Sequence, residues 1–220
     1  MLTTIAKTYG GLVRRITTTS AGSKVGEEKF VQWVINDRKI FFKTIIPLFD
    51  QYPPLTSRMK LQYLFFRKFF FSSQIEEYFI ERNFKYKNRE LISPLFCWPT
   101  TPSYFKEWLA GFIEAEGSFS NRVKGNYSFS IGQNHDYYLI EAIRNYFGLS
   151  HLTISNKKGK LNNFPSQKAF YEFSVGSGYG TGKVIDHCTN LLQGYKYYQL
   201  AVFIQKSKIF QDRLKDFLIK

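Results

Sequence analysis

Cysteine is scarce in this 220-residue chain, with only Cys97 and Cys188 present. Two widely separated thiols make neither a disulfide framework nor a metal cluster, and they suit a reducing compartment. The three histidines, His135, His151 and His187, have no zinc-like spacing with them. Acids are also few, 17 against 31 basic residues, leaving a net charge of +14. Such a surplus concentrates polyanions near the surface and speeds encounter with them, so nucleic acid is the first partner to consider and a membrane surface a weaker one. Long apolar runs are missing as well. Arg67 and Lys68 interrupt the most apolar stretch, 63–71, so no segment reads as a membrane span and no membrane partner is expected.

Aromatic residues are abundant, with 23 Phe and 15 Tyr in a chain that is 44% hydrophobic. That supplies core for one large domain or two small ones. Richness in Phe, Tyr, Ile, Lys and Asn also fits an AT-rich organelle genome. The first 26 residues carry Lys7, Arg14, Arg15 and Lys24, many Ser and Thr, and no acid. This composition fits a mitochondrial presequence or a basic strand pair. The repeat described below favours the strands, and both routes lead to an expected mitochondrial location.

The clearest breakpoint is 93–103, where Pro94, Pro99 and Pro102 exclude helix and central strand. The expected division is 1–92, a linker at 93–103, and 104–220. After the linker, 104–117 has a helical pattern ended by Gly117. Residues 118–133 alternate polar and apolar around Lys124-Gly125-Asn126, which predicts a β-hairpin. Residues 136–147 form an amphipathic pattern stopped at Gly148. A further strand is predicted at 168–175, then a Gly-rich loop, then helices at 184–192 and 197–218. This order is that of an α+β unit with an antiparallel sheet. Part of it recurs: Tyr9–Leu12 parallels Tyr146–Leu149, Phe30–Ile35 parallels Phe170–Val175, Ile45-Ile46 parallels Val184-Ile185, and Pro54–Gln62 parallels Leu191–Gln199. The near-constant offset indicates a duplicated unit.

Residues 109–117 read LAGFIEAEG. Ala110, Gly111 and Ala115 are small and permit a second helix to approach closely. Glu116 closes the helix, where the dipole disfavours a carboxylate by about 0.3–1 kcal/mol. An acid kept there suits a hard divalent cation. Glu114, two positions away, lies about 200° around the helix and cannot share that site. Period-two alternation places Ser118, Ser120, Arg122 and Lys124 on one face, Ser128 and Ser130 on the same side of the next strand, and Glu172 and Ser174 on a third. A polar, basic sheet face can read base edges in a major groove, although any half-exposed antiparallel sheet alternates this way. Lys157, Lys158 and Lys160 fall in an expected turn that would meet phosphates.

The motif resembles that of the LAGLIDADG homing endonucleases, and the likeness continues through Phe129–Gln133, Asp136, Leu139-Ile140, Ile143, Tyr146–Gly148 and Leu192–Lys196. The resemblance implies a duplicated αββαββα fold whose antiparallel sheets form a DNA-binding saddle, with the first unit truncated here. It implies a site-specific endodeoxyribonuclease that hydrolyses phosphodiesters of double-stranded DNA with Mg²⁺. Glu116 would be the catalytic and metal-binding acid, with Gln133 and Lys196 matching pocket residues of the family. It also implies a second motif helix, from another chain or copy, packing on Ala110, Gly111 and Ala115. The repeat offset would put a first copy of Glu116 before Met1, so a piece of a longer two-motif protein is expected, with weak or no double-strand cleavage alone. Two alternatives stay open. Some relatives are intron maturases, and the basic, aromatic 67–89 stretch could bind intron RNA; an inactive remnant is the other. Gly176–Lys183 resembles a phosphate-binding loop but has Ser177 and Val184 where the pattern requires Gly and Ser or Thr, so a flexible connection is expected.

Overall fold

Helix, hairpin and helix follow one another along the first fifty residues. The computed structural model describes residues 1–17, 28–72, 74–91, 101–121, 127–157 and 169–215, in two compact units, Met1–Pro54 and Leu55–Lys220. In the first unit, helix α1 (Leu2–Tyr9) turns into strand β1 (Leu12–Thr17), which pairs antiparallel with β2 (Glu28–Val34). Two left-handed glycines make the corner, Gly10 at φ 80° and Gly11 at φ 93°, a conformation that is costly for any residue with a Cβ. A Cβ on Gly11 would also lie 2.6 Å from the Val34 carbonyl oxygen. Helix α2 is a composite of Arg38–Ile40, a π-helical turn Phe41–Ile45, and Ile46–Gln51. The basic strand pair expected for residues 1–26 is corrected in part. Residues 2–9 are helical, because Leu2, Ile5, Ala6 and Tyr9 recur at helical spacing.

The second unit opens with α3 (Ser57–Phe71) and α4 (Ile75–Glu81). The division thus falls at Pro54 and not at 93–103. Residues 55–91 belong with the second body because a buried cluster holds them there. Asp136, with no exposed surface, accepts hydrogen bonds from the Ser57 backbone N–H at 2.9 Å and from the Ser57 hydroxyl. Arg89 donates to Ser57 Oγ at 2.6 Å and to the Asn134 carbonyl at 2.7 Å, and pairs with Asp136 at 3.5 Å. The Tyr138 hydroxyl donates to the Leu55 carbonyl at 2.7 Å.

Then come α5 (Phe105–Glu116), β3 (Ser118–Asn121), β4 (Tyr127–Asn134), α6 (Tyr137–Tyr146), β5 (Ser155–Lys157), β6 (Phe170–Val175), α7 (Gly178–Leu191) and α8 (Tyr195–Lys206), with a 3-10 turn at Gln211–Leu214. The sheet order is β3-β4-β6-β5, antiparallel throughout. Its inner face carries Phe129, Ile131, Phe173 and Val175, packed in one core with Leu109 and Ile113 of α5, Leu139, Ile140 and Ile143 of α6, Ile185 and Cys188 of α7, and Leu200 and Phe203 of α8. The repeated segments occupy like positions. Tyr9 and Tyr146 each end a helix, Phe30 and Phe170 lie in strands, and Ser57 and Tyr195 each open a helix.

Three further expectations are corrected. The Gly-rich loop is the first turns of α7, capped by Ser177, whose hydroxyl accepts from the Gly180 N–H at 3.2 Å. Packing overrides glycine's poor helix propensity here, since a Cβ on Gly180 would sit 2.5 Å from Val175 Cγ2. The last long helix stops at Lys206 and not at residue 218. Lys157 ends strand β5 opposite Phe170 and is not in a turn. Arg122, Lys124, Lys158 and Lys160 lie outside the described residues, as does most of the 93–103 segment.

Candidate nuclease site and nucleic-acid interface

Glu116 is the last residue of α5 and is exposed. No hydrogen bond or ion pair engages its carboxylate among the described residues. Gly117 follows in extended conformation (ψ 144°), and its N–H still bonds the Ile113 carbonyl at 2.9 Å. A Cβ there would lie 2.7 Å from that carbonyl oxygen and 2.8 Å from Ile113 Cγ2. Glycine is therefore what lets the chain pass directly from the helix into β3, leaving Glu116 at the mouth of the strand.

Register aligns the predicted polar face. Ser118, Ser130 and Ser174 form one row across three strands, Ser120 and Ser128 a second, and Glu172 faces Gly132 on one side and Ser155 on the other. Phe119, Phe129 and Phe173 point to the core. Phe170 shares the polar face, and its ring fills the space over Gly132, where a Cβ would meet Phe170 Cζ at 2.4 Å.

Lys196, in the first turn of α8, faces the start of β3. With Ser118, Ser120, Tyr195, Gln199 and Lys206 it lines an open groove of about 610 Å³ between β3 and α8. Gln133 is one residue from the end of β4 on the parity of Phe129 and Ile131, and its side-chain oxygen accepts from the Asn134 N–H at 3.1 Å. Of the expected helix-contact residues, Gly111 and Ala115 are exposed, and beyond its own helix no described atom lies within 4 Å of a Cβ built on Gly111. Ala110 is 4% exposed and so is covered within this chain, unlike Gly111 and Ala115. It is corrected from the open face.

Sequence reasoning missed the partner of Glu114. Its carboxylate turns away from Glu116 and accepts three backbone N–H groups, from Gln193 at 3.1 Å, Gly194 at 2.7 Å and Lys196 at 3.2 Å. These donors sit at the start of α8, whose N-cap position is Gly194. A glycine N-cap supplies no side-chain acceptor for the orphan amides, and that was the available signal. The Cys188 thiol lies deep and near Glu114, and both burial and that charge push its pKa up. On the other side of α7, His187 is 8% exposed and meets the Tyr146 hydroxyl through Nδ1 at 3.2 Å, while Nε2 has no partner among the described residues. Burial foremost, then Lys106, lowers its pKa to about 4 against an opposing pull from Glu107. No group of three or more metal-ligating side chains occurs among the described residues, and no described helix is long and apolar enough to cross a membrane.

The site is thus a helix ending in an exposed acid, set against an antiparallel sheet with one polar face. The sequence model described as "LAGLIDADG endonuclease" matches residues 109–207. The chain belongs to the LAGLIDADG homing endonuclease family. A probable intron-encoded endonuclease, aI3, of Debaryomyces hansenii is 31% identical over 239 residues, covering 93% of this chain and 32% of the relative. One of Dictyostelium citrinum with the same description is 35% identical over 164 residues, covering 74% of this chain and 63% of the relative. The chain thus spans less than two thirds of these relatives. Among solved structures, the meganuclease I-SmaMI bound to uncleaveable DNA matches at TM-score 0.61 and 20% identity, over 98% of this chain and 81% of that one. I-GzeII in complex with its DNA target matches at TM-score 0.63 and 17% identity, over 96% and 77%. These likenesses bear out the α+β homing-endonuclease fold.

Proposed function

We propose that the chain acts as a homing-type DNA endonuclease, encoded within a mitochondrial intron, which hydrolyses phosphodiester bonds at a long double-stranded site. The observation that carries this reading is the exposed carboxylate of Glu116, with no hydrogen bond or ion pair among the described residues, two positions before Ser118, which lines a groove together with Ser120 and Lys196. The residues fit a hard cation of the Mg²⁺ type. Such an ion takes one or two protein carboxylates and fills its remaining positions with water and substrate phosphate oxygens, and Glu116 offers one exposed carboxylate with room for these. Bound Mg²⁺ would supply Lewis-acid polarisation of the phosphodiester and a more acidic water.

Each side chain then has a distinct task. Glu116 anchors the cation at the end of a rigid helix. Lys196 places a positive charge beside the phosphate being attacked, and Gln133 orients solvent at the end of β4. Ser118, Ser120, Arg122, Lys124, Ser128, Ser130, Glu172 and Ser174 read base edges in the major groove, while Lys157 and Lys158 meet phosphates. One acid serves one strand. Cutting both requires a second motif helix, and the bare Gly111–Ala115 side of α5 suits its close approach.

The test is selection of a cleavable target from plasmids with randomised inserts, followed by Glu116→Gln. Cleavage should disappear with target affinity retained, and a variant that still cuts would remove Glu116 from the chemistry. RNA binding is the second reading. It is favoured by the exposed rings of Phe71, Phe79 and Phe84 beside Arg67 and Arg82, and binding of intron RNA would survive Glu116→Gln.

A further inference from the structure

We propose that Glu114 is a positioning residue that fixes Lys196 relative to Glu116, an inference that rests on the roles just given to those two. The first amides of any helix lack intrahelical acceptors. In α8 one carboxylate satisfies three of the N–H groups there, those of Gln193, Gly194 and Lys196. The acceptor is not local, because it arrives from α5, 80 residues earlier in sequence. It also sits at the positive end of the α8 dipole, where an anion is favoured. The bond to the Lys196 N–H is the decisive one. It ties the backbone that carries the amine to the helix turn that carries Glu116.

Gly194 completes the joint. A Cβ there would lie 2.5 Å from Glu114 Oε2 and 3.0 Å from its Cδ, so any larger residue displaces the carboxylate. The segment Leu192–Lys196 and the two acids of the motif thereby form one device. Glu116 works at the open end of α5, while Glu114, on the other side of the same turn, holds the helix that presents Lys196. A shift of about an ångström in a reacting group can lower a rate roughly a hundredfold.

The experiment compares Glu114→Gln, Lys196→Met and the double variant, cutting the selected target, together with amide hydrogen exchange in the free protein. Glu114→Gln should speed exchange at Gln193, Gly194 and Lys196. It should lower kcat about ten- to a hundredfold with KM within about threefold, and should slow Lys196→Met by less than about threefold further. Glu114→Asp, which keeps the charge, should recover part of the rate. Gly194→Ala should mimic Glu114→Gln, yet add no loss once Glu114 is Ala. Full multiplication of the Glu114 and Lys196 losses, or unchanged exchange at the three amides, would overturn the proposal. If Lys196→Met and Glu116→Gln cut as fast as the parent, the reading of the site fails instead, and exchange alone still judges the Glu114 hold.

Discussion

Replacing Asp136 with Asn tests the joint that makes residues 55–91 part of the second unit. The side chain keeps its shape but loses its charge, and one of its two acceptor oxygens becomes an NH₂ facing the Ser57 donors. A hydrogen bond to a charged group contributes about 1.5–3 kcal/mol. Breaking a buried ion pair from one side typically costs about 3–5 kcal/mol, because the other charge is left uncompensated. Arg89 would retain its bonds to the Asn134 carbonyl and Ser57 Oγ, and its side chain keeps 14% exposure. Those two facts place the loss at the lower end, about 3 kcal/mol. For a body of this size that corresponds to a fall in Tm of roughly 6–12 °C. Urea unfolding followed by circular dichroism measures it, and the m-value separates whole-unit melting from detachment of α3 and α4 alone. The companion variant is Arg89→Met. If Asp136 and Arg89 act as one cluster, the double variant loses less than the sum of the single losses, by about 0.5–3 kcal/mol. A loss below about 1 kcal/mol for Asp136→Asn, or strict additivity, would refute the reasoning.

Three other expectations follow from the structure. Gly117→Ala drives a Cβ onto the Ile113 carbonyl, so about 1–3 kcal/mol of stability should be lost to overpacking; thermal melting of the variant checks this. His187 folds as the neutral ring with its pKa lowered to about 4, so the unfolded chain, titrating near 6.5, takes up protons first. The contribution of His187 to stability should be level above about pH 7, fall by about 2–3 kcal/mol between pH 6.5 and 4, and level off below. In His187→Phe the part of the acid-side slope due to this group should vanish in denaturation curves measured across that range. Chelation by EDTA should stop cleavage of the selected target while leaving its binding intact, as a filter-binding assay would record.

The parts legible in the sequence were those governed by local periodicity. The motif helix, the hairpin strands, α6 with its Gly148 stop and the serine face all came from spacing alone, and family resemblance singled out Glu116, Gln133 and Lys196. What escaped was decided by contacts distant in sequence. Glycines at 178, 180 and 182 read as a loop, but α7 begins there because Val175 and Leu149 crowd Gly180 and Arg213 lies over Gly182. Ala110 and Gly111 are both small, and only the helix's buried side tells which faces outward. Glu114 looked like a spare acid until its three amide donors, far along the chain, were brought beside it. Ser57 and Arg89 carry no sequence signature of their own, since their common partner Asp136 belongs to another element.

The short hydroxyls on the sheet have a consequence for how such a surface changes over time. Ser118, Ser130 and Ser174 stand in line across three strands, with Ser120 and Ser128 beside them. A serine can donate or accept with either base of a pair, so each position demands little of the sequence it meets. Ser118 and Ser120 also line an open groove, which has room for a longer Arg, Gln or Asn. A preference for a new target could therefore arise one residue at a time, on a backbone that never has to refold.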